Sequence, residues 1–340
     1  MAKNRKYLRN KIKHISIETS SISDLVDSFS SMAFQSRNLS NASIIYGKMV
    51  EENDCTIMLC LSGSLFSAGL KRIVYDLIQH NMVDVIISTG AIMVDQDFFE
   101  GIGFSHYAGT PNANDEDLRR NHIDRIYDTF IDEYELRKCD STIRNIADGM
   151  EPRPYSSREF LIEMGKYLEK HGNRKDSVVL EAYRKGVPIF VPAFSDSSAG
   201  FGLVEHQWHN KKAHISIDSV KDFLELTKVK IASKESGLLM IGGGVPKNFA
   251  QDTVVAAAVL NEKSPMHKYA VQITVADERD GALSGSTLKE AHSWGKVAAG
   301  NTQMVYSEAT IAMPIMASYV YQKGTWKNRK PKKYNEMLDA

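Results

Sequence analysis

One amine stands out by its neighbours. Lys296 ends the stretch Glu290-Ala-His-Ser-Trp-Gly-Lys296, two residues after Trp294 and a short way downstream of Asp280-Gly-Ala-Leu-Ser284-Gly. A protonated lysine is not a nucleophile, but partial desolvation lowers an amine's pKa and frees its lone pair for Schiff-base chemistry. Trp294 is suited to pack along an aliphatic amine and to offer its π face to an ammonium. The same indole reads equally as core packing. Glu290 is a candidate anchor for a terminal ammonium, or else a solvated helix carboxylate.

The elements around this stretch alternate. Cys55 to Leu61 is a short apolar run and reads as a buried strand. Ser62-Gly63-Ser64 is a turn, and Leu65 to His80 repeats apolar residues at helical spacing. Val83 to Ser88 is the next strand, closed by Thr89-Gly90-Ala91. A unit of this length is a βαβ crossover, which implies parallel pairing. Residues 101–151 are more polar and read as a loop followed by helices covering one sheet edge. Phe160 to Lys170 predicts a helix. Val187 to Val191, Leu238 to Ile241, Tyr269 to Thr274 and Met304 to Tyr306 predict further strands. The expected fold is α/β, a single large domain with a Rossmann-like, doubly wound, mostly parallel sheet and helices on both faces. Its bounds are 16–322, after a basic flexible arm (1–15) and before a polar basic tail (323–340).

In such sheets ligands bind beyond the carboxyl ends of the strands. Four polar or glycine-rich turns fall there: Ser62 to Ser67, Ser88 to Ala91, Ser195 to Gly200 and Gly242 to Gly244. Glycine in one such turn is ordinary turn chemistry. Four converging turns favour a nucleotide, whose pyrophosphate accepts backbone amides at a helix N-terminus. None matches the GxGxxG fingerprint.

Composition narrows the class. Lysine plus arginine equal aspartate plus glutamate at 42 each, so no global field draws nucleic acid or an acidic membrane. No run approaches the roughly 18 apolar residues of a membrane span, and the basic start lacks a signal peptide's apolar core. Cys55, Cys60 and Cys139 form no paired motif. They read as thiols of a reducing compartment, and a cytoplasmic protein without metal is expected.

Several motifs occur in one order: Gln79-His-Asn-Met-Val-Asp-Val85, Pro192-Ala-Phe-Ser-Asp196, Gly242-Gly-Gly-Val245 and Glu290 to Lys296. With them the chain resembles the deoxyhypusine synthase family from about Ile17 to about Tyr321, and most resembles its bacterial deoxyhypusine synthase-like and homospermidine-forming members. The resemblance implies NAD held by Ser64, Ser67, Thr89, Gly90, Gln96, Asp196, Gly243, Gly244, Asp280, Ser284, Glu308 and Ala309. It implies substrate contacts at Trp294, Glu290, Asp252 and Asn248, with Lys296 as the covalent carrier. It also implies polyamine substrates and a homotetramer with sites near subunit interfaces. The implied reaction removes a hydride from a polyamine, passes the aminobutyl group through a Lys296 imine, and reduces the new imine on an acceptor amine.

The chain departs from the family's eukaryotic members at telling positions. Asn248 and Phe249 replace a histidine pair, one of which moves a proton. Phe201 and Leu283 replace aspartates that hold the cationic substrate. Glu308 stands where aspartate is more common, and Gln96 where an acidic residue is usual. Asp252 restores one negative charge, and His292 and His106 are candidate replacement proton carriers. The expectation is therefore NAD-dependent aminobutyl transfer between free polyamines, giving homospermidine. The alternatives are a true deoxyhypusine synthase acting on a translation-factor lysine, or a non-catalytic NAD- or polyamine-binding relative.

Overall fold

The computed structural model describes residues 11–18 and 20–340. Most of the basic arm (1–10) thus lies outside the described residues. Six strands build the main sheet: β1 (Cys55–Leu61), β2 (Val85–Ile87), β3 (Ile189–Phe190), β4 (Glu235–Ile241), β5 (Tyr269–Thr274) and β6 (Thr302–Tyr306). Their spatial order is β3-β2-β1-β4-β5-β6 and every pairing is parallel. That is the strand order of dinucleotide-binding doubly wound sheets, with the order reversing between β1 and β4. The expected fold class holds.

Strand alternation sorts the core onto two faces. Ile57, Leu59, Leu61, Leu239, Ile241, Val271 and Ile273 join one apolar cluster. This cluster takes in Tyr46 and Met49 of helix α1 (Phe34–Glu51), and Leu77 of α2 (Lys71–Gln79). Met58, Cys60, Leu238, Met240 and Ala270 face the other way. They pack against Leu226 and Val229 of α3 (Ser219–Ala232), Ala250 of α4 (Gly244–Val259), and Leu288 and Ala291 of α5 (Leu288–Ser293). β1 is buried at all seven positions, which is why it reads as an unbroken apolar run.

Three segments differ from their sequence reading. The helix expected over Leu65 to His80 begins only at Lys71. Gly69, at φ 93°, breaks the preceding turn, and Leu70 N bonds Leu65 O. Within 101–151 lies a small antiparallel sheet of Tyr107–Ala108, Ile123–Ile126 and Thr129–Asp132, followed by the helix Glu133–Asp148. Its hairpin turns at Tyr127 (φ 54°) rather than at the glycine or asparagine that marks such turns, so the sequence hides it. Third, the polar basic tail expected over 323–340 packs in part against the sheet. Tyr334 is buried, its hydroxyl 2.6 Å from Thr56 Oγ1, and the guanidinium of Arg329 donates to Asp84 and, at 2.8 Å, to Cys55 O.

This last contact explains Gln79 to Val85. Asn81 (φ 54°) closes α2, Met82 N returns to Leu77 O, and the buried Asp84 accepts from Ile57 N at 2.8 Å. Burial raises the Asp84 pKa even though Arg329 pulls it down. Both side chains are 1% exposed. Removing one partner of such a pair strands the other charge, at a cost of about 3–5 kcal/mol. Arg329→Met is therefore expected to lower the free energy of urea unfolding by about that amount. A loss no larger than that of an exposed ion pair would show that the strap carries nothing.

Candidate active site

The chain reversal after α5 aims Lys296. Thr287 and Glu290 form a reciprocal capping box that starts this short helix. Trp294 then Gly295, at φ 70°, stop it, and Lys296 N bonds back to Ala291 O at 3.0 Å. Only a residue without Cβ takes that conformation at little cost. The Lys296 carbonyl accepts from His267 N at 3.0 Å, which fixes the backbone on the far side.

The side chain so directed, 12% exposed, meets α4. Lys296 Nζ lies 2.6 Å from Asp252 Oδ1 and donates to Asn248 Oδ1 at 3.3 Å. Asn248 Nδ2 in turn donates to Asp252 Oδ2 at 2.6 Å. Asn248 and Asp252 are four residues apart, so helical geometry places them on one face. Trp294 is 72% exposed, with its ring 5.3 Å from Lys296 Nζ. Lys296, Asp252 and Trp294 line a hollow of about 540 Å³ whose other walls are Val220, Leu224 and Thr227 of α3 and Val255 and Val259 of α4.

A second cavity, about 430 Å³, opens over the carboxyl ends of β1, β4, β5 and β6. It gathers Ser64, Gly243, Ser284, Glu308 and Ala309, five of the residues assigned to the nucleotide. Gly244 follows in the same turn. Here the backbones approach so closely that a Cβ on Gly243 would sit 2.6 Å from Ser284 Cα. Glu308 caps the helix α6 (Ala309–Lys323), accepting from Thr310 N at 2.9 Å. Partial burial opposes its charge, but hydrogen bonds from Thr310 and the neighbouring amides hold its pKa below the usual carboxylate range.

The remaining assigned residues are not among those lining it. Buried Gln96 accepts from Phe66 N (2.9 Å) and Ser67 N (3.0 Å), and Ser67 Oγ donates to Ser64 O, so Gln96 holds the first turn in shape. Thr89 accepts from Ile92 N, while Gly90 lies so near Ser197 that a Cβ would meet its Oγ at 2.3 Å. Asp196 is exposed in the turn after β3. Asp280 is exposed too, its carboxylate accepting from Ala282 N at 2.7 Å.

A model of the family described as deoxyhypusine synthase matches residues 24–320. The chain belongs to the deoxyhypusine synthase family. It is 60% identical over 335 residues to a deoxyhypusine synthase-like protein of Chlorobaculum tepidum, covering 98% of this chain and 96% of that one. It is 42% identical over 310 residues to the "Probable deoxyhypusine synthase 2" of Methanosarcina mazei, with 91% and 89% covered. A crystal structure described as a "putative deoxyhypusine synthase from Entamoeba histolytica" shares the fold at TM-score 0.61 and 20% identity, covering 92% of this chain and 97% of that one. Membership in the deoxyhypusine synthase family supports NAD-dependent aminobutyl transfer as the general chemistry.

Three side chains singled out from the sequence carry other hydrogen bonds. One oxygen of the Glu290 carboxylate accepts from Thr287 N at 2.6 Å, as part of the helix cap. His292 Nδ1 bonds Val297 O and His106 Nδ1 pairs with Glu100, so neither histidine is a hydrogen-bond partner of Lys296. Two polar residues not singled out from sequence organise the site instead. Gln272, buried in β5, donates to Gly242 O (2.9 Å) and Ser284 O (3.1 Å). Lys247 is buried and donates to the Ser286 carbonyl, to Ser286 Oγ (2.9 Å) and to Leu283 O (3.5 Å). Burial pulls the Lys247 pKa down to about 8 against the opposing pull of Glu290. The available signals were a glutamine inside an apolar strand and a cation in a helix's first turn, against the dipole.

Since Lys247 pins the 283–286 loop, Lys247→Met is expected to raise amide exchange there about tenfold or more. Hydrogen-exchange mass spectrometry reads this directly. Unchanged protection would place the loop's order elsewhere.

Proposed function

We propose that this chain transfers an aminobutyl group from spermidine or putrescine to a free amine, with Lys296 as the covalent carrier and homospermidine as the product. The observation that carries the reading is the Lys296 amine, aligned by Asp252 and Asn248 at the edge of a mostly apolar hollow. A methylene chain matches walls of Val220, Leu224, Val255 and Trp294, and an ammonium near Trp294 gains cation–π attraction.

NAD, when bound, supplies the removal and return of a hydride. The residues fit such a group. Cβ atoms at Gly242 and Gly243 would strike Ser62 and Ser284, so glycine keeps the backbone open. The sixteen-residue helix α4 starts at that turn without a side-chain cap, a setting suited to a pyrophosphate. α4 also ties the two cavities together. Asp252 lies eight residues beyond Gly244, roughly 12 Å along the axis.

The acceptor is a small amine in this reading because Phe201 and Leu283, 65% and 38% exposed, offer no charge to a long polycation. The chain acts as a homo-oligomer in the same reading, a second copy covering the exposed Val220, Val259 and Trp294 at the hollow. The Methanosarcina relative favours a second reading, deoxyhypusine formation on a protein lysine.

Purified protein with NAD, spermidine and putrescine is expected to form homospermidine, and borohydride to fix an aminobutyl group on Lys296. Lys296→Ala should abolish both while still binding NADH. Transfer only to a translation-factor lysine would establish the second reading. NADH binding without any adduct would remove the enzyme reading.

A further inference from the structure

We propose that Asp252 is the proton carrier for Lys296, a role that rests on the aminobutyl-transfer reading above. An ammonium nucleophile must lose a proton before it can bond to carbon, and the departing amine must gain one. Among the described residues, Asp252 is the carboxylate paired with Lys296, at 2.6 Å. Its other oxygen is held by Asn248 Nδ2 at 2.6 Å, and Asn248 Oδ1 accepts from the same Nζ at 3.3 Å. The amide cannot titrate, but it fixes which carboxylate oxygen faces the amine.

The other charged groups nearby are committed elsewhere. Glu290 caps α5, His292 Nδ1 is bound to Val297 O, and Lys247 points into the Leu283 and Ser286 carbonyls. The wall from α3 contributes Val220, Phe223, Leu224 and Thr227, none of them charged. Asp252 is 31% exposed in its side chain, so a substrate nitrogen can reach it.

The step balances as an amine exchange without redox. The donor, already oxidised by the nicotinamide cofactor, presents a protonated carbon–nitrogen double bond. Lys296 Nζ gives one proton to Asp252 and uses the freed pair to bond the imine carbon, while the π pair moves to the substrate nitrogen. Asp252 returns that proton to the substrate nitrogen. A second proton then passes from Nζ to Asp252, and the lone pair it frees closes the new Lys296 imine as the old carbon–nitrogen bond breaks. Asp252 gives the second proton to the departing amine, which leaves as an ammonium.

The test uses 1-pyrroline, the cyclic imine of 4-aminobutanal, so that no cofactor is needed. Ring opening by Lys296, fixed with borohydride, is timed by peptide mass spectrometry. Asp252→Asn should slow adduct formation about 100-fold or more, while Asp252→Glu should recover part of the rate. If Asp252 merely neutralises the ammonium, the amide variant loses a countercharge and frees the amine more readily. Its rate would then equal or exceed that of the wild type, which overturns the proposal. Should Asp252→Asn not fold, the wild-type exchange is compared in light and heavy water. A slower rate in heavy water supports proton carriage, and an equal rate overturns it. The two readings also fail separately. Adducts from 1-pyrroline that depend on Asp252, without NADH formation from any polyamine, would sink the transfer reading alone.

Discussion

Parallel pairing of β1 with β4 is the constraint on which the rest of the site depends. Seven consecutive rungs, from Cys55 opposite Glu235 to Leu61 opposite Ile241, bring two distant stretches of chain into register. Both strands end together, so the Ser62 turn and the Gly242 turn meet. Ser62 Oγ accepts from Gly243 N at 2.8 Å, Ser62 N bonds Ile241 O, and Gly242 N bonds Ile273 O. A slip of one residue would turn every side chain to the opposite face and separate those turns. Alternate side chains of both strands fill two different clusters, so a slip would also exchange their packing partners.

From this junction α4 acts as a rigid spacer. Its first turn belongs to the groove over the strand ends, and one and two turns later Asn248 and Asp252 belong to Lys296. Lys247, one residue from Asn248, points inward instead and grips the loop that carries Ser284. One helix therefore positions both halves of the site. The buried Lys247 cation costs desolvation energy, reflected in its lowered pKa, and three oxygen acceptors offset part of it.

Much of this was legible in the sequence where pattern and structure share a period. The strands Cys55–Leu61 and Tyr269–Thr274 appeared with the same ends that they have in the fold. Lys296 itself stood out in the sequence by its place just after Trp294 and Gly295. What stayed hidden depends on contacts between residues far apart in sequence. Arg329 looks like any tail cation until it meets Asp84, 245 positions away. The hairpin at Tyr127 lacks the glycine or asparagine that would mark it. The Asp252–Lys296 pair joins helix α4 to the turn after α5, and no local pattern reports that pair.

Charge accounting then limits what the hollow can hold. Glu290, expected to anchor an ammonium, is already bound to the Thr287 amide, which lowers its pKa and ties it to the helix. Asp252 is already paired with Lys296. A polycation entering the hollow therefore competes with Lys296 for the one carboxylate that lines it. Displacing Lys296 would leave its ammonium without its carboxylate partner. The walls thus favour a short methylene chain with its charge held away from the reacting carbon, near the face of Trp294 or at the rim. Such a site discriminates by chain length and by where charge sits rather than by total charge.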